Sequence, residues 1–260
     1  MDVNSLVDLK EKSLKKLEDY VDGLIAQNDK RASVLSFWLS DYTSMLTNEA
    51  NFDPKKLIKY KRGQIVKVHL GYNIGSEEGG LHYCVVIGNN GTLSSPVLTV
   101  VPLTSIKDPN KKIHYTSVDI GSELFVTLSQ KEQKSNQQVA DLESAIRQKL
   151  APLEIRLLEM MQMDKSLLDH DELREMHKEV ENCKEILKDL SKEKENLKRL
   201  RKEIGKMRQG SIALVGQITT VSKLRIYDPM SNRSPLYNVK LGDSCMDKID
   251  KKIKELFTKQ

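Results

Sequence analysis

The sequence predicts an α+β protein in which a small, strand-rich β-barrel is interrupted by a long, charged antiparallel helical hairpin of coiled-coil type, preceded by short helices and closed by another. Three observations lead there. Apolar residues alternate with polar ones from about residue 64 to 128 and again after 210, the signature of half-buried strands. Between those stretches the period changes to that of a helix with a heptad seam. The core supply is thin: of 260 residues only 38% are hydrophobic and 5% aromatic, while 30% carry charge, which suits an extended arm better than one large globule.

In the first fifty residues Leu14, Leu17, Val21 and Leu24, then Leu35, Trp38, Leu39, Tyr42 and Leu46, recur at three- and four-residue spacing and predict two amphipathic helices. Asn28 and Asp29 part them, and Pro54 ends the second. Gln64 to Leu70 alternates as a strand and runs into a Gly-rich loop, Gly75-Ser76-Glu77-Glu78-Gly79-Gly80. Tyr83 to Ile87 and Val97 to Val101 are short apolar runs, joined across Gly88-Asn89-Asn90-Gly91 by a hairpin-like return, the second run ending at Pro102. Further strands are expected near Tyr115 to Ile120 and Leu124 to Leu128.

Beyond Ser129, Leu142, Ile146, Leu153, Leu157 and Met160 form one apolar stripe, which Pro152 should kink or restart. Asp169, His170 and Asp171 make a polar turn. In the second arm Leu173, Met176, Val180, Cys183, Leu187, Leu190, Leu197 and Ile204 take seam positions, with Lys194 and Arg201 filling the two others. At ~1.5 Å per residue, Leu173 to Met207 would reach on the order of 50 Å. Strand character resumes in Ser211 to Val215 and Gln217 to Val221, and Ser244 caps a last helix whose apolar face is Met246, Ile249, Ile253 and Leu256. The divisions are residues 1–55 for the N-terminal helices, 56–128 for the first part of the barrel, 129–209 for the hairpin, and 210–260 for the rest of the barrel with the closing helix.

The net charge of +5 permits an anionic partner without the density of a nucleic-acid coat protein. Basic residues gather before the first strand, at Lys55, Lys56, Lys59, Lys61, Arg62 and Lys67, and in 192–208, where eight Lys or Arg face three Glu. The three cysteines, Cys84, Cys183 and Cys245, are odd in number and widely spaced, against a disulfide framework or zinc site. Neither a signal-peptide pattern nor ~18 consecutive apolar residues occurs, so a cytoplasmic protein without a membrane segment is expected. Nucleotide-binding loops, metal clusters and flavin motifs are absent, and no cofactor is expected.

With the helical hairpin set aside, the ordered set Lys61-Arg62-Gly63-Gln64-Ile65-Val66, Gly75-Ser76-Glu77-Glu78-Gly79-Gly80, Val85-Val86-Ile87, Ser95-Pro96, Pro102-Leu103-Thr104 and Gln217-Ile218-Thr219-Thr220-Val221-Ser222-Lys223-Leu224-Arg225 resembles the MazF/PemK family of toxins. The resemblance covers about residues 60–128 and 210–257, and the hairpin stands as an insertion. It implies an SH3-like small barrel, a homodimer, an antitoxin partner, and metal-independent cleavage of single-stranded RNA to a 2′,3′-cyclic phosphate and a 5′-OH.

The family's Ser in the Gly-rich loop, Arg after the double Gly and Thr after Pro-Leu fall on Ser76, His82 and Thr104, which the resemblance implies are catalytic. His82 departs from the family Arg. An Arg is always charged and forks two donors onto a phosphate, whereas imidazole titrates near ~6.5 and serves as acid or base as its neighbours dictate. Lys61, Arg62, Tyr72 and Tyr83, close in sequence to that set, are candidate RNA contacts through charge and stacking. The second reading is a non-catalytic RNA- or protein-binding barrel that uses its helical arm for assembly.

Overall fold

The computed structural model describes residues 2–88, 93–106, 108, 110, 112–162 and 170–259. The expected return through Asn89–Gly91 and Asp169 of the expected polar turn lie outside them, while His170 and Asp171 open a helix.

The chain is α+β. Helices α1 (Val3–Ala26) and α2 (Arg31–Glu49) precede strands β1 (Ile65–His69), β2 (Leu81–Val86), β3 (Val97–Ser105) and β4 (Val118–Gly121). Two long helices follow, α3 (Glu123–Gln162) and α4 (His170–Ile204). The chain then returns through β5 (Ser211–Ala213), β6 (Thr219–Ser222) and β7 (Ile226–Asp228), and ends in α5 (Asp243–Phe257). Among the described residues seven strands form one antiparallel sheet in the order β4-β5-β3-β2-β1-β7, with β6 also on β3.

Strand β3 continues through Pro102, where the sequence suggests a stop. Its first half pairs with β6 up to Val100↔Thr219, and its last three residues pair with β5 from Leu103↔Ala213. The Pro102 carbonyl accepts from the Leu214 N–H at 2.9 Å, so its nitrogen faces the same edge, in the gap between those two partners. The donor that proline lacks is not needed there.

Alternation along the strands divides the apolar residues between two cores. Ile65, Val85, Val101 and Leu103 face α5 and the roots of α3 and α4, packing on Leu128, Leu200 and Ile249. Val66, Val68, Cys84, Val86 and Val100 face the other way, onto Val221, Ile226 and Tyr60. Each such side chain, once fully buried, contributes roughly 1.5–3 kcal/mol of transfer free energy.

The strand expected at Leu124–Leu128 is instead the first turns of α3, where Leu124 and Leu128, four residues apart, are both buried on one helix face. Pro152 lies inside α3, and neighbouring Leu153 is anchored against Met176 and Cys183. Helices α3 and α4 run antiparallel. Val139 and Ile146 share a core with Leu190 and Leu197, while Lys194–Glu143 at 2.7 Å, Arg201–Glu132 at 2.8 Å and Arg156–Glu172 at 3.3 Å cross between the helices. Only one of the two heptad series is buried: Met176, Cys183, Leu190 and Leu197 are covered, whereas Leu173, Val180 and Leu187 are exposed and Lys194 and Arg201 reach sideways to their carboxylates. Two helices alone cover one stripe of each other. No described helix is long and apolar enough to cross a membrane. Helix α5 is capped by Gly242, whose N–H donates to Glu123, while Ser244 lies within the helix.

Candidate active site

The loop between β1 and β2 is closed by its own backbone. Leu70 N–H donates to Gly80 O and Gly80 N–H to Gly71 O, both at 2.7 Å, and the Asn73 amide donates to Glu78 O at 2.7 Å. Gly79 is required by close approach, because a Cβ there would stand 2.9 Å from the Gly71 carbonyl oxygen. A remote side chain holds the other flank. Gln217, in the turn before β6, accepts from Glu78 N–H at 2.5 Å and donates from Nε2 to Ser76 O at 3.1 Å.

Between this loop and β6 opens a cleft of about 640 Å³, lined by Ser76, Glu77, Glu78, Pro102, Gln217, Thr219 and Arg225 among others. His82 is joined to it through Glu78. Its Nε2 is 3.0 Å from a Glu78 carboxylate oxygen and its Nδ1 is 3.4 Å from Leu103 O. In β2 His82 pairs with Val68, and the β2–β3 register, continued one step past Tyr83↔Leu103, sets it opposite Thr104. Ser76, His82 and Thr104, separate in sequence, therefore gather at one end of the sheet.

The four candidate contact residues do not join them as a group. Tyr83 points to the opposite sheet face, where its hydroxyl donates to Glu203 of α4 and the Lys67 ammonium donates to the same carboxylate at 2.6 Å. Burial, then the Glu203 bond, pushes the Tyr83 phenol well up. Burial works to raise the Glu203 carboxyl, but the bonds from Lys67 and Tyr83 outweigh it and hold it below its ordinary value. Lys61 and Arg62 lie at the far end of β1, where Arg62 pairs with Asp250 of α5 and donates to Ile87 O. From Ile87 to His82 along β2 is on the order of 17 Å. Tyr72 stands by α1: burial, followed by a hydrogen bond with Tyr20, raises its phenol.

Sequence reasoning missed the loop-holding role of Gln217 and the positions of Glu78 and Arg225. The Arg225 Nη1 donates to Leu70 O at 3.1 Å, and its guanidinium lies 5.4 Å from the centre of the Trp38 ring. Trp38, on α2, also stacks on His69 at 4.5 Å, and Asp41 of the same helix lies 3.8 Å from His69 Nε2. The N-terminal helices thus dock beside the cleft. The signal that could have found Gln217 and Arg225 was present, since both belong to the ordered motif set, but nothing local in the sequence joins them to Ser76 or Trp38.

An antiparallel sheet carries, at one end, the Gly-rich loop with Ser76 on the cleft and the β2 and β3 positions of His82 and Thr104. Residues 61–190 match the family described as PemK-like, MazF-like toxin of type II toxin-antitoxin system, half of the chain, and the chain belongs to that family. The matched span holds β1 to β4, α3 and much of α4; the strands that bring Gln217 and Arg225 follow it. No curated protein matches the chain.

Proposed function

We propose that this chain is a toxin of its family that cleaves single-stranded RNA without a metal ion, by attack of the ribose 2′-OH on the adjacent phosphate. The observation that carries this reading is the pairing of His82 with Glu78 at 3.0 Å, Glu78 lining a cleft that Ser76 also lines. In the proposed step Glu78 takes the 2′-OH proton and the 2′-oxygen bonds to phosphorus. The bond from phosphorus to the 5′-oxygen breaks as His82 gives that oxygen a proton, leaving a 2′,3′-cyclic phosphate and a 5′-OH.

Both His82 nitrogens stand near oxygen acceptors, Glu78 Oε1 and Leu103 O, and only the doubly protonated ring donates to both, which suits a ring that begins the step holding the proton. The Thr104 and Ser76 hydroxyls serve as donors to the phosphorane oxygens. His82 thereby covers the positive charge and proton transfer that the family assigns to Arg.

The sheet fits the SH3-like small barrel of the family: β3 gives its halves to two successive partners, and side chains from β1, β2, β3, β6 and β7 close on one another in a single core. With that fold we include a homodimer, an antitoxin that occupies the cleft, action in the cytoplasm, and the α3–α4 arm as an insertion with a coiled-coil seam.

The test is cleavage of a long single-stranded RNA in EDTA, with the product ends identified. Cuts that persist in EDTA and leave cyclic phosphate, lowered about 100-fold or more by His82→Ala, Thr104→Ala and Glu78→Gln, are expected. A folded protein that cuts no better than these variants would turn the reading to a non-catalytic binding module.

A further inference from the structure

We propose that Arg225 is the cation that holds a phosphodiester of the RNA strand in the cleft, and that Trp38, from the N-terminal helices, is the positioning residue that holds Arg225. The proposal rests on the reading of this cleft as an RNA site. Among the described residues that line the cleft, Arg225 is the one cation, facing two carboxylates, Glu77 and Glu78. A polyanion entering there meets repulsion unless a fixed positive charge offsets it, and position 82, where the family has Arg, carries His. A guanidinium remains charged at every working pH and presents its donors as a planar fork suited to phosphate.

The geometry leaves that fork in place to act. One N–H is spent on Leu70 O at 3.1 Å and one face lies toward the Trp38 ring at 5.4 Å, while no other hydrogen bond or ion pair of Arg225 occurs among the described residues. Leu70 in turn donates to Gly80 O at 2.7 Å, two residues from His82. Two strand residues span about 7 Å, so the carbonyl that holds Arg225 is tied to the segment that carries the reaction centre.

Trp38 is itself fixed on three sides. It stacks on His69 and on Tyr42, at 4.5 and 5.3 Å, and it lies over Gly71, where a Cβ would come within 3.4 Å of the ring. Residue 38 precedes the family-matched span, so the proposal makes the N-terminal helices part of the binding site. An aromatic face beside a guanidinium lowers the freedom the side chain must give up when it meets a phosphate.

The experiment measures binding of a fluorescein-labelled, random-sequence 20-nucleotide RNA, 2′-O-methylated so that it cannot be cut, to the full chain across a salt series. For a single strand each phosphate contact contributes about 0.7 to the slope of log affinity against log salt. Arg225→Gln is expected to lower that slope by about 0.7 and the affinity about tenfold, and Arg225→Lys to restore the slope while staying several-fold weaker. Trp38→Leu is expected to weaken binding about threefold alone and to add nothing on top of Arg225→Gln.

An unchanged slope in Arg225→Gln would overturn the proposal, as would a Trp38→Leu effect that adds in full to it. Should Arg225→Gln fail to fold, the affinity of Arg225→Lys decides, and wild-type affinity would overturn it. Cleavage of unmodified RNA, measured alongside, separates the two readings. Cleavage with a wild-type slope in Arg225→Gln removes Arg225 and keeps the ribonuclease. Binding with the expected slope change but without cleavage keeps Arg225 and removes the ribonuclease. A chain that binds no RNA removes both.

Discussion

The Gln217 carboxamide holds Ser76 and Glu78 at once, donating to the carbonyl of one at 3.1 Å and accepting from the N–H of the other at 2.5 Å, across about 140 residues of sequence. The shape of the Gly-rich loop is therefore imposed by the turn before β6 as well as by its own glycines. Gln217→Ala removes both bonds, each worth roughly 0.5–1.5 kcal/mol. RNA cleavage is expected to fall about tenfold or more while the thermal midpoint drops only a few degrees, because the loop is at the surface and the two cores are untouched. An unchanged cleavage rate would mean that the loop keeps its shape unaided.

Gly79→Ala tests the same loop from inside. The added methyl would stand 2.9 Å from the Gly71 carbonyl oxygen, which is already engaged by the Gly80 N–H, so the two loop strands must part. A loss of about 1–3 kcal/mol in denaturant unfolding is expected, with cleavage falling further than Gln217→Ala alone. A variant as stable and active as wild type would show that the approach relaxes at no cost.

On the opposite face Glu203 joins α4 to the sheet through Lys67 and Tyr83, with side-chain exposures of only 15% for Glu203 and 11% for Lys67. Glu203→Ala leaves a buried ammonium without its carboxylate and is expected to cost about 3–5 kcal/mol. Glu203→Gln retains acceptors for both donors and should cost less. Replacing both members of the ion pair, Lys67→Met with Glu203→Leu, should recover most of the loss, which a double-mutant cycle in urea would measure.

Asp228 supplies a pH test. Burial raises its carboxyl to about 6, the nearby Glu203 adding to the effect while the Leu236 N–H, Lys131 and Lys67 oppose it. Because the folded value lies above the unfolded one, the protonated form is favoured by folding. Its contribution is complete below about pH 4 and is lost as pH rises through about 6. Asp228→Asn keeps an acceptor for the Leu236 N–H and removes that loss. It is expected to stabilise the protein by on the order of 2 kcal/mol at pH 8 and by little at pH 4 in paired denaturation curves. An equal effect at both pH values would mean that ionisation is not its origin.

Much of the fold was legible because periodicity is local. The helices at Leu14–Leu24 and Leu35–Leu46, the strands around Ile65, Val85 and Val100, and the long apolar stripe of α4 each follow from spacing within one segment. Two of the mistaken boundaries have the same kind of cause. Pro102 looks like a strand end until the switch from β6 to β5 removes the need for its N–H, and Leu124 and Leu128 fit either period until their burial on one helix face decides. Strand β7 was too short, at three residues, to carry a period of its own.

By itself, then, the sequence determined the alternation of strands and helices, the long helical pair between two strand-rich stretches, and through an ordered motif set the family, with Ser76, His82 and Thr104 as its candidate site residues. Tertiary structure alone decided which neighbours in sequence are neighbours in space. Tyr83 is adjacent to His82 along the chain, yet successive strand residues point to opposite faces, so it serves the Glu203 cluster instead. Gln217, Arg225 and Trp38 stand far away along the chain and reach the cleft because strand pairing and helix docking bring remote segments together. Such contacts leave no local period, since they depend on register and on what the opposite surface offers.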